Sequence, residues 1–291
     1  MVVRETVSSS WSMKLTPHPD AGAPSLPAEI AADVPGCVHT ELISLGLIGG
    51  GGSILTVPVL VYLFHVDPVL ATAYSLFIVG TTSLVGALPK YRSGEINLRT
   101  AIIFGIPAIA TVYATRAFIL PNIPKELFTI GTVVISKSLL LMLLFAVLMV
   151  FASFSMIRGN GNKIQDEGGQ RFNYPMILLE GAVVGLLTGL VGAGGGFLII
   201  PALVLFSKLP MKQAIGTSLL IIAAKSLIGF IGDLHHQTMD WKLLFSVTSL
   251  AVAGIFLGNA LGKKVSAVQL KKGFGWFVLV MGIYIIVNEL F

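Results

Sequence analysis

Gly49, Gly50, Gly51, Gly52 and Ser53, and then Gly192, Gly194, Gly195 and Gly196, interrupt strongly apolar stretches of the chain. A glycine costs about 1 kcal/mol relative to alanine inside a helix, so an ordinary membrane-crossing helix does not collect them. What such residues permit is a backbone that leaves the helix, takes positive φ and presents amide hydrogens to a closely approaching ligand. Pro58 and Pro201 follow each run and, lacking an amide hydrogen, weaken the helical ladder further. Half-helices meeting inside the membrane are expected, and a helix start there, carrying about half a positive charge, suits an anion. The alternative is that the glycines only let helices pack closely. Their occurrence at equivalent places in a repeat favours the ligand site. No strand-turn-helix context surrounds them, which speaks against nucleotide binding.

Lys225 is the second chemical signal. It lies well inside the apolar run 214–231, where a charge costs about 2.5–3.5 kcal/mol by insertion scales. At helical spacing Ser218, Lys225 and Gly229 share a face, as do Ser75, Thr82 and Gly86. Glu180 is the one acid deep in an apolar run of the second half. If the helices of the fifth and sixth runs are antiparallel neighbours, it reaches the depth of Lys225. Two uses are then open: an ion pair that only holds two helices, or a part in anion or proton handling. Thr217 and the serines, including Ser83 and Ser226, have a bland outcome too, bonding to their own helix carbonyls. Asp233, His235, His236 and Asp240 fall in an expected loop without helical ligand spacing, so no metal is expected. No cofactor is expected, and no serine, cysteine or carboxylate constellation indicates catalysis.

The elements that must hold these residues come in two copies. At a fixed offset of 143 residues, positions 46–86 and 189–229 match without a gap at 16 of 41 places, among them Gly46/Gly189, Pro58/Pro201, Ser75/Ser218 and Gly86/Gly229. Charged residues are only 11% of 291 and hydrophobic residues 55%, against roughly 25% charged in a soluble domain. Apolar runs fall at 42–64, 69–88, 101–120, 139–157, 176–206, 214–231, 243–261 and 274–290, most of them close to the ~20 residues that cross a hydrocarbon core. The fold class is therefore an all-α polytopic membrane protein, with seven to eight transmembrane helices in two homologous halves and broken glycine-rich helices.

The polar, Pro- and Ser-rich segment 1–41 has no apolar core of the kind a cleavable signal needs and is expected to be disordered. Residues 42–157 form the first transmembrane repeat, 158–173 the linker and 174–291 the second repeat. Within the first, 126–137 is β-branched with polar ends and reads as a short hairpin at the membrane surface. If every run crosses, Lys and Arg divide nine to nine between the two sides with only Lys225 left inside, so the positive-inside rule gives no orientation. An even number of crossings per half makes the repeats parallel and an odd number makes them inverted. The net charge of +5 sits in short gaps between runs and implies no nucleic-acid partner. One cysteine, Cys37, excludes an internal disulfide.

These residues resemble the sulfite exporter TauE/SafE family of membrane proteins. The resemblance rests on GLIGGGGSILTVPVL with ATAYSLFIVGTTSLVGAL in the first half, and on GLVGAGGGFLIIPALV with AIGTSLLIIAAKSLIGFIGD in the second; it covers about 42–291. It implies a transporter of seven or eight helices in two homologous halves that moves small anions such as sulfite, sulfonates or other sulfur-containing organic acids. Its motifs point to the residues 49–53, Pro58, Ser75, 192–196, Pro201, Thr217 and Ser218. The beginning departs from the family pattern, because 31–46 carries Asp33, Pro35, His39 and Glu41. Either the native start differs from this reading frame or the first helix enters the membrane only from Leu42. The expectation is a secondary transporter in the cell (inner) membrane whose partners are a small anionic substrate and the lipid bilayer, with a homo-oligomer left open. An anion channel and a membrane assembly protein or lipid-modifying enzyme are the competing readings.

Overall fold

A computed structural model describes residues 54–124, 126–130, 133–158, 174–192, 194–205, 207, 209–234, 236–262 and 267–290. The glycine run at 49–53 and the segments 1–41 and 158–173, Arg158 apart, lie outside them. Helix α1 is a short α turn, Thr56–Pro58, running into a π-turn, Val59–Leu63. The chain reverses at His65, whose φ is 52°. Helix α2, Pro68–Arg92, starts where Asp67 accepts hydrogen bonds from the amides of Val69 and Leu70, with proline at the first helical position. Helix α3, Leu98–Ala114, is capped by Asn97 and passes through a π-turn, Thr115–Ile119, into a last α turn, Leu120–Asn122.

The hairpin forms within the span the sequence assigned to it, as antiparallel strands β1, Glu126–Ile130, and β2, Val133–Ser136. After it come α4, Lys137–Arg158, and then α5, Tyr174–Val191. The fifth apolar run does not form one helix: α5 stops at Val191 and α6, Gly196–Leu205, begins after the glycines. Helices α7, Met211–Asp233, α8, Trp241–Gly262, and α9, Ala267–Leu290, complete the order. Helix α7 extends to Asp233, past the end of its apolar run, so Asp233 is a helix residue and not the loop residue that hydropathy suggested.

Among the described residues, four helices are long and apolar enough to cross a membrane: Pro68–Arg92, Leu98–Asn122, Lys137–Phe154 and Lys212–Asp233. Shorter apolar helices lie at Pro175–Val191, Trp241–Ile255 and Gly275–Leu290. Large apolar side chains such as Ile106, Phe118, Phe151, Leu179 and Trp276 face outward, as lipid permits and water does not. Two cores hold the helices. One joins Ile54, Leu55 and Val57 beside α1 to Phe145 and Met149 of α4 and Val278 and Ile285 of α9. The other joins Val79 of α2, Phe104 and Ala108 of α3, Val184 of α5, Ile199 and Leu203 of α6 and Ile221 of α7.

Contacts fix the helix directions. Phe77 meets Phe230 with ring centroids 5.0 Å apart, Gly80 faces Leu227 and Gly86 faces Leu219, so α2 and α7 are antiparallel. Gly181 packs on Phe104 and Pro107, Gly185 on Ala108 and Thr111, and Gly189 on Thr115, so α5 runs parallel to α3. These three glycines, four residues apart, let the two backbones approach closely. Helix α7 is also parallel to α3, because Gly105 faces Ile221, Val112 faces Gly229 and Arg116 faces Gly232. Helices α5 and α7 therefore run the same way, and the chain turns back at the glycine break before α7 begins. The fifth and sixth runs do not supply the antiparallel neighbours on which a match in depth between Glu180 and Lys225 depended.

Candidate functional site

The glycine break leaves helical geometry at three residues: Gly192, Gly194 and Gly195 have φ of 75°, 62° and 73°. This is the left-handed region that costs other residues about 1–2 kcal/mol. It is also crowded. A Cβ on Gly192 would stand 2.5 Å from Thr72 Cβ, and one on Gly195 would run into the Thr188 methyl while standing 3.3 Å from Lys225 Nζ. The turn is thus wedged between Thr72 of α2 on one side and Thr188 and Lys225 on the other, and α6 starts directly beyond it at Gly196.

Lys225 is fully buried and donates to Thr188 Oγ1 at 2.7 Å; that hydroxyl in turn donates to the Val184 carbonyl. The Lys225–Glu180 ion pair, one of the two uses the sequence left open, does not form. Glu180 is eight residues before Thr188 on the same helix, about 12 Å along the axis, and both of its carboxylate oxygens are buried without a hydrogen-bond partner.

On the Thr72 side of the same turn lies a second cation, which the sequence reading placed outside the membrane interior. Arg116 is 0% exposed and lies in the π-turn of α3, a widened turn of the kind that often marks functional positions. Its Nη1 donates to Thr72 Oγ1 at 3.0 Å and to Asp233 Oδ2 at 3.1 Å. Asp233 is itself 3% exposed, so the ion pair is shielded from solvent. Lys137 stands at the rim, within electrostatic reach of Arg116, Asp233 and Asp67, and donates to the Leu120 carbonyl.

Arg116 Nε and Nη2 are buried and have no hydrogen-bond partner. These atoms form one edge of the guanidinium, where two N–H groups point the same way and match two oxygens of a carboxylate, sulfonate or similar anion. Buried donors without acceptors cost about 1–3 kcal/mol each, and more when charged. The edge is thus primed for an oxyanion. Ser75 Oγ, one turn along α2 from Thr72, and Ser226 Oγ, next to Lys225, are also buried without partners.

The remaining expected site residues divide. Gly196 opens α6, Pro201 lies within it, and Pro58 is buried in α1. Ser218 donates to its own helix at Ile215, and Thr217 accepts from the Asn97 amide near the start of α7. Neither belongs with the Arg116–Lys225 cluster. Sequence reasoning missed Arg116, Asp233, Thr72 and Thr188. A signal for Arg116 was present: it continues the face of Phe104, Ala108 and Val112 at four-residue spacing, while Ile102, Ile106 and Phe118 face outward.

A family model described as Sulfite exporter TauE/SafE matches residues 42–285. A "Probable membrane transporter protein" of Xylella fastidiosa (strain 9a5c) is 32% identical over 250 residues, covering 84% of this chain and 90% of the relative. "Probable membrane transporter protein YdhB" of Bacillus subtilis (strain 168) is 28% identical over 233 residues, covering 79% of this chain and 89% of the relative. "Probable membrane transporter protein YunE" of the same organism is 29% identical over 250 residues, with 77% and 88% covered. No solved structure gives a significant match.

Proposed function

The chain belongs to the sulfite exporter TauE/SafE family of membrane transporters, and from that premise we propose that it is a secondary transporter of small oxyanions, with sulfite and organic sulfonates as its substrate class. The free Nε/Nη2 edge of Arg116 carries this reading. A sulfonate has two oxygens at the spacing of that edge and a third for Lys225, whose ammonium has one of its three donors on Thr188. The positive-φ turn at Gly192, Gly194 and Gly195 forms the third wall, where the start of α6 adds partial positive charge. By the 143-residue offset, Gly49, Gly50, Gly51, Gly52 and Ser53 would be their counterparts in the site. Rocking of one half against the other would alternate access. The protein would sit in the cell's inner membrane and form no covalent intermediate.

Flux in liposomes containing only the purified protein tests this. Labelled sulfite, sulfoacetate, sulfate and acetate are compared for wild type and Lys225→Ala. The expected result is saturable exchange of sulfite or sulfoacetate, at least tenfold weaker in Lys225→Ala, consistent with losing a buried charged contact worth about 1.5–3 kcal/mol. Exchange unaffected by the substitution removes Lys225 from the site, and flux that never saturates favours a channel.

A further inference from the structure

The charges inside the site do not balance for every anion. Arg116 and Lys225 bring two positive charges and Asp233 one negative, all three essentially out of contact with solvent, which leaves one positive charge. Lys137, at the start of α4, is only half-buried and donates to the Leu120 carbonyl, so it does not belong to the sealed interior. A bound monoanion makes the interior neutral, whereas a dianion leaves one negative charge buried, an arrangement that membrane interiors penalise heavily. Arg116 and Lys225 enter this count already protonated, so Asp233 is the one of the three that can gain a proton to remove it.

We propose that Asp233 is the proton-coupling residue of this site: it takes up one proton when a divalent anion occupies the free edge of Arg116, so that the dianion crosses together with one H⁺. This rests on the anion-transport reading above. The geometry supplies the mechanism. Asp233 Oδ2 holds Arg116 through Nη1, and Thr72 Oγ1 holds the same nitrogen. When an anion takes the Nε/Nη2 edge, the guanidinium charge is shared between two anionic partners. Asp233 is then the carboxylate whose protonation costs least, while Thr72 still accepts from Nη1. The proton adds to a carboxylate oxygen of Asp233, no covalent bond of the substrate changes, and the proton leaves when the anion does.

The groups that face Asp233 fit this use. Arg116 reaches it from α3, Lys137 from the start of α4 and His236 from the loop after α7. Asp67 lies before α2 on the far side of Lys137. Helix α6 carries no titratable residue, and Lys225, on α7 itself, is engaged by Thr188. His236 and Lys137 lie at the same end of the helices as Asp233.

The test uses the full-length protein in liposomes with the membrane potential clamped, a pH dye inside, and two labelled probes: sulfoacetate, a dianion, and methanesulfonate, a monoanion. For wild type, one proton should enter per sulfoacetate and none per methanesulfonate, and an acidic exterior should drive sulfoacetate inward against its gradient. In Asp233→Asn the ratio of protons to sulfoacetate should fall from one to zero at any rate of transport, and in Asp233→Glu it should stay at one. A ratio of one in Asp233→Asn, or zero in wild type that does exchange sulfoacetate, overturns the proposal. So does a folded Asp233→Asn that carries nothing, because a permanently neutral side chain represents the proton-loaded state. Wild-type liposomes that exchange neither probe would instead overturn the transport reading on which it rests.

Discussion

Arg116 shows what hydropathy reads well and what it does not. It stands four residues before the end of its apolar run, a position from which a long side chain can reach the interface, and the even division of Lys and Arg between the two sides counts it outside the membrane interior. In the structure the π-turn turns it inward onto Thr72 and Asp233, and distance to the end of a run says nothing about which way a side chain points. Lys225 was legible because no interface lies within reach of it. The positive φ of Gly192, Gly194 and Gly195 was legible because glycine has few other reasons to cluster inside lipid. The Glu180–Lys225 pair was not legible, since it depended on a helix direction that sequence does not contain. At this scale the account predicts that Gly195→Ala abolishes the thermal stabilisation that methanesulfonate gives the purified protein. The new methyl collides with Thr188, beside the Lys225 ammonium, at a φ that alanine disfavours. Gly273→Ala, with nothing within 4 Å of the added carbon, should retain the stabilisation. Equal behaviour of the two variants would separate the glycine turn from anion binding.

Helix directions were the open question in the sequence, because basic residues divide evenly between the sides and the number of crossings depends on what a glycine break does. The break turns out to be a reversal that leaves α5 and α7 parallel, and α2 and α7 cross antiparallel. Those two helices are equivalents at the 143-residue offset, and so are the bonds at their ends. The Asn97 amide donates to Thr217 Oγ1, and the Asp240 amide donates to the Tyr74 hydroxyl. Asn97 corresponds to Asp240 and Thr217 to Tyr74, and each acid or amide side chain caps the next helix, accepting from Thr100 in one case and from Leu243 in the other. Equivalent helices pointing opposite ways are what an inverted pair of repeats requires. The expected outcome is that cysteines placed at Ser93, after α2, and at Thr238, after α7, in a Cys37→Ser background react with a membrane-impermeant maleimide from opposite sides of sealed vesicles. Labelling of both from one side would contradict the antiparallel crossing. At the loop after α2, Lys90 meets Glu95 at 2.7 Å and holds its carboxyl below the usual range; the pair is exposed and contributes little.

For the whole molecule, family membership and the multi-pass helical architecture agree with the composition, and among the described residues a buried cluster draws its polar groups from both sides of the linker. Arg116 and Thr72 come from the first half and Thr188, Lys225 and Asp233 from the second. At the 143-residue offset the charges do not recur, since Thr82 stands where Lys225 has its equivalent and bonds only to its own helix. One cluster that links the halves is suited to a carrier, because relative motion of the halves changes the Arg116–Asp233 contact directly. The central claim is that the free edge of Arg116 is where the anion sits. Its most direct test is a structure of the purified protein equilibrated with bromomethanesulfonate, in which bromine is located by anomalous scattering. The account predicts a bromine peak beside Arg116, with sulfonate oxygens about 2.7–2.9 Å from Nε and Nη2. Ordered bromine found only elsewhere, with that edge of Arg116 still unpaired, would contradict it.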